Sequence, residues 1–390
     1  MTTAIIITFC SLLLLAYLFD ISSSKTKIPS VVLLLLLGWS MQQVAGFFNL
    51  QLPDFSEVLP VLGTVGLIMI VLEGSLELEL NRSKVQTIRK AFLGSIASVA
   101  VLALALTCAF MLIGLHSTRD SLLNAIPICV ISSSIAIPSA RHLSAATREY
   151  IVYESSFSDI LGVILFNFVL VNEVVDAFSF LQFGLQFLVM IIVSFVATLG
   201  LAYFLHRIQG HVKFVPIILM IFLIYAISKL YHLPSLLFIL VFGLFIGNLD
   251  ELRHLKWIKR FRTETLTEQT EKFKELVAEA TFLMRALFFL LFGYSLQTAE
   301  IVNMETLPWS LGIVGLIFLL RTTQLALFKY PLNPAVFIAP RGLINILLLL
   351  TIAPENLIPL VNKSLITQII LLTSFILMIG LMAAKPAEQR

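Results

Sequence analysis

Residues 151–171 read I-V-Y-E-S-S-F-S-D-I-L-G-V-I-L-F-N-F-V-L-V, an apolar run that contains two carboxylates and three serines. The run is long enough to cross a bilayer as a helix, and ionisable side chains inside such a segment usually mark a transport or proton path. On a helix Ser155 and Asp159 share one face, while Glu154 and Ser158 share a second face about 100° away. One face can therefore bind an ion and the other can be held by a partner. The alternative is that both acids only neutralise basic residues of other helices.

The composition of the whole chain places this run in a membrane protein. Of 390 residues 59% are hydrophobic and 13% charged, and the mean hydropathy is +0.99. Soluble domains carry roughly a quarter charged residues, so we predict an all-α, polytopic protein embedded in the lipid bilayer. The net charge of +3 comes without a basic tail or finger motif, which argues against a nucleic-acid partner. The three cysteines all lie in apolar segments, and we predict neither a metal centre nor a cofactor.

Apolar runs of about 17 to 25 residues predict thirteen spans. The loops between these spans lie alternately on the two sides of the membrane, and the two sides differ sharply in basic residues. The loops on one side, together with the C-terminal tail, carry 20 Lys and Arg, and the loops on the other side carry three. Because cytoplasmic loops hold the excess of basic residues, we expect the N-terminus outside, the C-terminus in the cytoplasm, and a multi-pass protein of the plasma (cell inner) membrane. The spans are 4–19, 31–48, 58–76, 91–115, 121–140, 151–171, 183–205, 214–231, 233–249, 280–297, 309–328, 335–353 and 365–384.

Two short sequence matches indicate an internal repeat. A Pro-Ser pair followed by an apolar run to a glycine occurs at residues 29–38 in span 2 and again at 234–243 in span 9. Ser-Leu followed by Glu or Gln closes both span 3 and span 10. Both pairs lie seven crossings apart, and an odd offset means opposite orientation, as in the inverted repeats of secondary transporters. We therefore predict repeats at 1–172 and 214–390, a connector at 173–213 that contains span 7, and a cytoplasmic linker at 250–279 that includes a lipid-lying helix.

Spans 5 and 12 occupy equivalent places in these repeats, and both contain helix-breaking residues. Span 5 carries Ser132, Ser133 and Ser134 before Pro138, and span 12 carries the sequence Pro-Arg-Gly at 340–342. Proline removes a backbone donor, which a membrane tolerates only where the freed groups are buried or line a cavity. We predict two broken helices that cross beside span 6, although simple proline kinks are the alternative reading of each.

The basic residues inside spans need counter-charges, because a lone buried cation is costly. We predict that Arg341 pairs with Glu154, and that Arg321 and Arg285 hold helices together. Glu73, at the end of span 3, either lines an inner funnel or extends toward the interface. Asp159 is then the acid without a permanent partner.

These residues resemble the sodium/proton exchanger branch of the monovalent cation:proton antiporter superfamily over nearly the whole chain. The family pattern E-S-L-x-N-D is similar to residues 154–159, and its S-S-T in a broken fifth span is similar to residues 132–134. Arg-Gly at 341–342, Arg321 and Glu73 match further family positions. This sequence departs from the pattern in having Ser158 where that branch has Asn, and no carboxylate follows the serines of span 5. The resemblance implies a homodimer.

The resemblance also implies cation and proton binding at Asp159, with Glu154 and Arg341 bracing the breaks and with Ser155, Glu73, Ser132, Ser133 and Ser134 as candidate cation ligands. We expect a secondary antiporter that exchanges Na⁺ or another monovalent cation for H⁺, one for one. K⁺/H⁺ exchange and anion/Na⁺ symport use the same architecture. A non-transporting sensor or scaffold is the alternative of another class. An enzyme is not expected, because an intramembrane protease would need a second aspartate or a Ser/His pair on another helix.

Overall fold

A computed structural model describes residues 2–26, 28–48, 58–78, 82–114, 116–140, 143–172, 177–207, 214–231, 235–248 and 263–383. These residues form α-helices, short 3₁₀ turns and non-helical segments, and none of the described residues is in a β-strand. The fifteen α-helices are α1 Thr2–Thr26, α2 Ser30–Phe47, α3 Val58–Glu77, α4 Val85–Gly114, α5 Thr118–Cys129, α6 Ser133–Ser139, α7 Ala145–Val171, α8 Ala177–Arg207, α9 Phe214–Leu230, α10 Ser235–Gly247, α11 Thr263–Tyr294, α12 Thr298–Ile301, α13 Leu307–Phe328, α14 Leu343–Thr351 and α15 Lys363–Ala383.

Each of the thirteen predicted spans coincides with a helix, or with an interrupted helix, in the described part of the chain, which confirms the all-α polytopic fold. By length and composition, eight segments of these residues can cross a membrane, with α5 and α6 counted as one. Among the remaining described helices, α9 and α10 are apolar but shorter, and α1 and α8 each contain a shorter apolar stretch. A helix satisfies its own backbone hydrogen bonds, which explains why an apolar chain in lipid takes this form throughout.

The predicted linker 250–279 is only partly a linker. Residues 249–262, where the lipid-lying helix was predicted, lie outside the described residues. Residues 263–279 are the beginning of α11, so the helix of span 10 starts well before residue 280. The charged sequence stays helical because one face is buried: Phe273, Val277 and Thr281 recur every four residues and pack inward.

The two predicted breaks are present. Span 5 divides into α5 and α6 at residues 130–132, where Val130 and Ser132 have extended backbones. Span 12 consists of a short 3₁₀ turn, Ala335–Phe337, and α14, with a non-helical segment between them. The breaks lie against each other, since the Ser132 amide donates a 2.9 Å hydrogen bond to the Pro340 carbonyl. The close contact at Gly342 favours glycine, because a Cβ there would lie 2.6 Å from the Ser132 hydroxyl oxygen and would displace that side chain.

Helix α7 lies at the centre of the bundle. It contacts α3, α4, α5, α6, α10 and α14, so both breaks and both carboxylates meet along one helix. The two glycines of the repeated motif pack reciprocally. Gly38 of α2 fits against the backbone of Leu290 in α11, and Gly243 of α10 fits against Ser75 in α3. This arrangement, span 2 on span 10 and span 9 on span 3, is compatible with inverted repeats, which stay a prediction.

Candidate functional site

Asp159 occupies the middle of α7 opposite the break in span 5. Its carboxylate is buried, with the residue only 3% exposed. The Ser133 amide, at the start of α6, donates a 3.3 Å hydrogen bond to Asp159 Oδ2. Oδ1 has no hydrogen-bond partner among the described residues. A buried carboxylate oxygen without a donor is costly, so Oδ1 is where a proton or a cation would be stabilised.

The break opposite Asp159 is held to α7 by hydrogen bonds from two backbone amides, those of Ile131 and Ser133. The Ile131 amide donates to the Ser158 hydroxyl at 2.9 Å, next to the bond that Ser133 makes with Asp159. Ser158 therefore has a positional part in this chain, since its oxygen takes the backbone donor that the interrupted helix leaves free. The sequence indicates Ser158 as a neighbour of Glu154 on one helical face and as a departure from the family's Asn, and not as a contact of the break. Its spacing, one residue before Asp159, was the available signal for a contact with the same break.

A cavity of about 70 Å³ reaches the break from the end of α3. Two carboxylates, one guanidinium and two serines give it a polar lining, and Ser133 lies both in this wall and against Asp159. Arg285 donates a 3.3 Å hydrogen bond from Nη1 to the Ser134 carbonyl, which places a cation in the wall as well. The lining residues are Ile70, Glu73, Gly74, Glu77, Ser133, Ser134, Ile137, Pro138 and Arg285.

The structure places the six candidate cation ligands differently. Glu73, Ser133 and Ser134 line the cavity, and Asp159 adjoins it through Ser133. The Ser132 and Ser134 hydroxyls are hydrogen-bonded to each other at 2.9 Å. The Ser155 hydroxyl donates to the Ile151 carbonyl at 2.8 Å on its own helix, so it is turned along α7. No cluster of three or more His, Cys, Asp or Glu suited to a metal ion occurs within the described segments.

The predicted pair between Glu154 and Arg341 is wrong. Glu154 is 1% exposed, and its Oε1 accepts from the guanidinium of Arg321 on α13. Gln324, one turn further along α13, and the Tyr150 hydroxyl donate to the same oxygen. Arg321 and Gln324 are three apart and so present one polar face to α7. That i, i+3 spacing in an apolar helix was the signal that could have identified the partner.

Arg341 has a different function in the structure. Its Nε donates to the Ile128 carbonyl at 2.8 Å, and its Nη1 donates to the Ala339 carbonyl at 3.0 Å. The Arg341 amide donates to the Thr373 hydroxyl of α15. Both carbonyls belong to chain next to the breaks, where helical partners are lost. The guanidinium therefore stabilises the crossed breaks through backbone oxygens rather than through Glu154.

Asn345 is a residue of this site that sequence reasoning missed. It is 1% exposed on α14, and its Nδ2 donates to the Pro127 carbonyl at 2.6 Å and to the Val130 carbonyl at 3.0 Å. Its Oδ1 accepts from the Gly342 amide. A single asparagine among leucines and isoleucines, three residues after the break, was the signal in the sequence.

Comparison with known proteins agrees with this geometry. Residues 10–386 match the family described as sodium/hydrogen exchanger, transmembrane. The chain belongs to the sodium/hydrogen exchanger family. No curated protein sequence matches it significantly. Its fold is similar to two structures of the sodium proton antiporter MjNhaP1 from Methanocaldococcus jannaschii, one determined at pH 8 and one from an electron-microscopy map. Both structures align with a TM-score of 0.69 and 17% sequence identity. Each alignment covers 98% of this chain, and it covers 96% of the first antiporter chain and 95% of the second.

Membership of this family makes the chain a multi-pass membrane protein and a cation/proton antiporter. It also confirms the resemblance drawn from residues 154–159, 321 and 341–342. The family and the fold are those of transporters.

Proposed function

We propose that this sodium/hydrogen exchanger homologue carries Na⁺ and H⁺ alternately on Asp159, as a secondary antiporter of the plasma membrane. The observation that supports this is the unpartnered Oδ1 of Asp159, buried beside a polar cavity. The Ser133 amide fixes Oδ2, so the carboxylate keeps its orientation whichever ligand Oδ1 binds. One oxygen can hold either a proton or a cation, and competition between the two is the basis of exchange.

The cavity suits the entry of a cation. Glu73 and Glu77 lie in its wall, and acidic groups attract cations toward the break. Glu77 ends α3, immediately before the basic loop that we assign to the cytoplasm. Under that orientation the cavity is the inner entrance, and Glu73, Ser133 and Ser134 are the first groups that a cation meets on the path to Asp159.

Electroneutral exchange follows from counting the groups that can titrate at the centre. Ser158 has no group that ionises in the working range, and the Glu154 side chain is committed to its ion pair with the Arg321 guanidinium. Asp159 alone then carries one proton or one cation in each half-cycle. Glu154 therefore belongs to a structural ion pair, as the sequence predicted, but its partner is Arg321 and not Arg341.

A homodimer remains part of the proposal. The described side chains of α8 face outward over much of their length, including Leu185, Leu188, Ile192 and Val196. Lipid or a second copy of the chain suits such an apolar surface. Crosslinking in native membranes distinguishes a second copy from lipid, because only a second copy at α8 gives a crosslinked dimer.

Flux into proteoliposomes tests the proposed function. An acidic interior should drive uptake of radioactive Na⁺ by the wild-type protein, and Asp159→Asn should reduce it to the level of empty liposomes, since the amide keeps the volume and loses the charge. Asp120→Asn is the matched control, because Asp120 lies at the distant end of span 5. Proton-driven flux in a well-folded Asp159→Asn protein would remove Asp159 from the mechanism, and replacement of Na⁺ by K⁺ identifies the preferred cation.

A further inference from the structure

Asn345 makes three hydrogen bonds that connect the two broken spans. Through Oδ1 it accepts from Gly342 in its own span, and through both hydrogens of Nδ2 it donates to the carbonyls of Pro127 and Val130 in span 5. The amide is 1% exposed, and both of its N–H donors are used. A side chain with this set of contacts fixes the distance and the register between the two breaks.

The contacts of Asn345 end at Val130, three residues before Ser133, whose amide donates to the Asp159 carboxylate. Val130 accepts from Asn345, Ile131 donates to Ser158, and Ser133 donates to Asp159. Every one of these bonds involves the backbone of one short, non-helical stretch and the start of α6. Movement of Val130 therefore changes where the Ser133 amide lies relative to the Asp159 carboxylate.

We propose that Asn345 is a positioning residue of the exchange reaction, one that holds the span 5 break at the distance from Asp159 at which a cation is bound. This rests on the antiport proposed above. Arg341 donates to the Ile128 carbonyl, which lies in the sequence between the Pro127 and Val130 carbonyls that accept from Asn345. The two side chains of span 12 together therefore satisfy three carbonyls of span 5. The amide of Asn345 is neutral, which lets it brace the break without adding a charge to the site.

The same bundle contains a matched control. Asn124 is also fully buried, and its Nδ2 donates to the Asn356 carbonyl at 2.7 Å while its Oδ1 accepts from the Ile358 amide at 3.1 Å. It lies in the middle of α5, six residues before Val130, and connects span 5 to the segment that follows α14. Asn124→Ala and Asn345→Ala therefore both remove buried side-chain hydrogen bonds between span 5 and the part of the chain from α14 to residue 358, but only Asn345 contacts the break opposite Asp159.

Transport kinetics distinguish positioning from general support. In proteoliposomes we expect Asn345→Ala to raise the apparent KM for Na⁺ by about tenfold or more. A displaced break moves the groups around Asp159 away from the positions in which they bind the cation. The maximal rate should change far less, and Asn124→Ala should leave the KM near the wild-type value. If Asn345→Ala does not fold, Asn345→Ser, whose hydroxyl can still donate to one carbonyl, is measured against the same criterion. An unchanged KM in the folded Asn345 variant, or an equal rise in Asn124→Ala, would overturn the proposal.

Amide hydrogen exchange provides a measurement that needs no transport. We expect the Ile131, Ser132 and Ser133 amides to lose protection in Asn345→Ala and to keep it in Asn124→Ala. Unchanged protection of these amides in Asn345→Ala would overturn the positioning role of Asn345, whatever the flux measurements show. A wild-type protein that exchanges no cation would instead overturn the proposed function, so the two failures are distinguishable.

Discussion

The ion pair between Glu154 and Arg321 should be strongly coupled in stability. Both side chains are almost fully buried, at 1% and 2% exposure, and both lie in spans. Glu154→Gln would leave the Arg321 guanidinium without its counter-charge, and Nε and Nη2 of that group already have no partner among the described residues. Removing one partner of a buried pair costs about 3–5 kcal/mol. We expect a loss of that size for Glu154→Gln and a similar loss for Arg321→Met.

The double variant should lose less than the sum of the single losses. With both charges gone, a glutamine at 154 can still accept from Gln324 and Tyr150 through its side-chain carbonyl. We expect the sum of the single losses to exceed the double loss by about 2–3 kcal/mol. The assay is chemical unfolding of the purified protein in mixed micelles, with all four proteins under identical conditions.

The same cycle on Glu154 and Arg341 is the control. Arg341 donates to backbone carbonyls and makes no ion pair with Glu154, so its coupling should be clearly smaller. A coupling below about 0.5 kcal/mol for Glu154 with Arg321 would refute the reasoning. A larger coupling with Arg341 than with Arg321 would restore the pairing expected from sequence.

Two further predictions concern charge movement and helix packing. A membrane potential imposed at equal pH on both sides should drive no net Na⁺ flux into proteoliposomes, because in the proposed mechanism Asp159 is the single exchanging group; voltage-driven flux would show a second titrating group. Gly38→Ala should destabilise the protein by about 1–3 kcal/mol in thermal unfolding, because the added Cβ collides with the Leu290 backbone. Gly315→Ala, with nothing within 4 Å of its added Cβ, should be neutral or stabilising, and equal losses at both positions would contradict this packing argument.

The helices and the breaks could be predicted because their causes are local. An apolar run in lipid must become a helix to satisfy its backbone, and hydropathy therefore located all thirteen segments. Pro340 and Gly342 marked the break in span 12, since proline removes a donor wherever it stands. Asp159 could be singled out because an acid in the middle of a span is costly unless it is used.

Hydropathy was a poor guide where the environment changes along one helix. Residues 263–279 carry several charges and read as a linker, yet they continue α11 because Phe273 and Val277 face the bundle. A window average mixes the buried and exposed faces of such a helix, so the boundary at residue 280 was placed too late.

The sequence by itself determined that charged groups lie inside the spans, among them Glu154, Asp159, Arg285, Arg321 and Arg341. Only the tertiary structure decided how they pair. Arg321 and Arg341 both lie within spans, and residue type alone does not say which one faces α7. Packing turns the Arg321 face of α13 toward Glu154, while the break in span 12 directs Arg341 to the carbonyls of Ile128 and Ala339. Pairing inside a bundle depends on the rotation and crossing of distant helices, which no local pattern encodes.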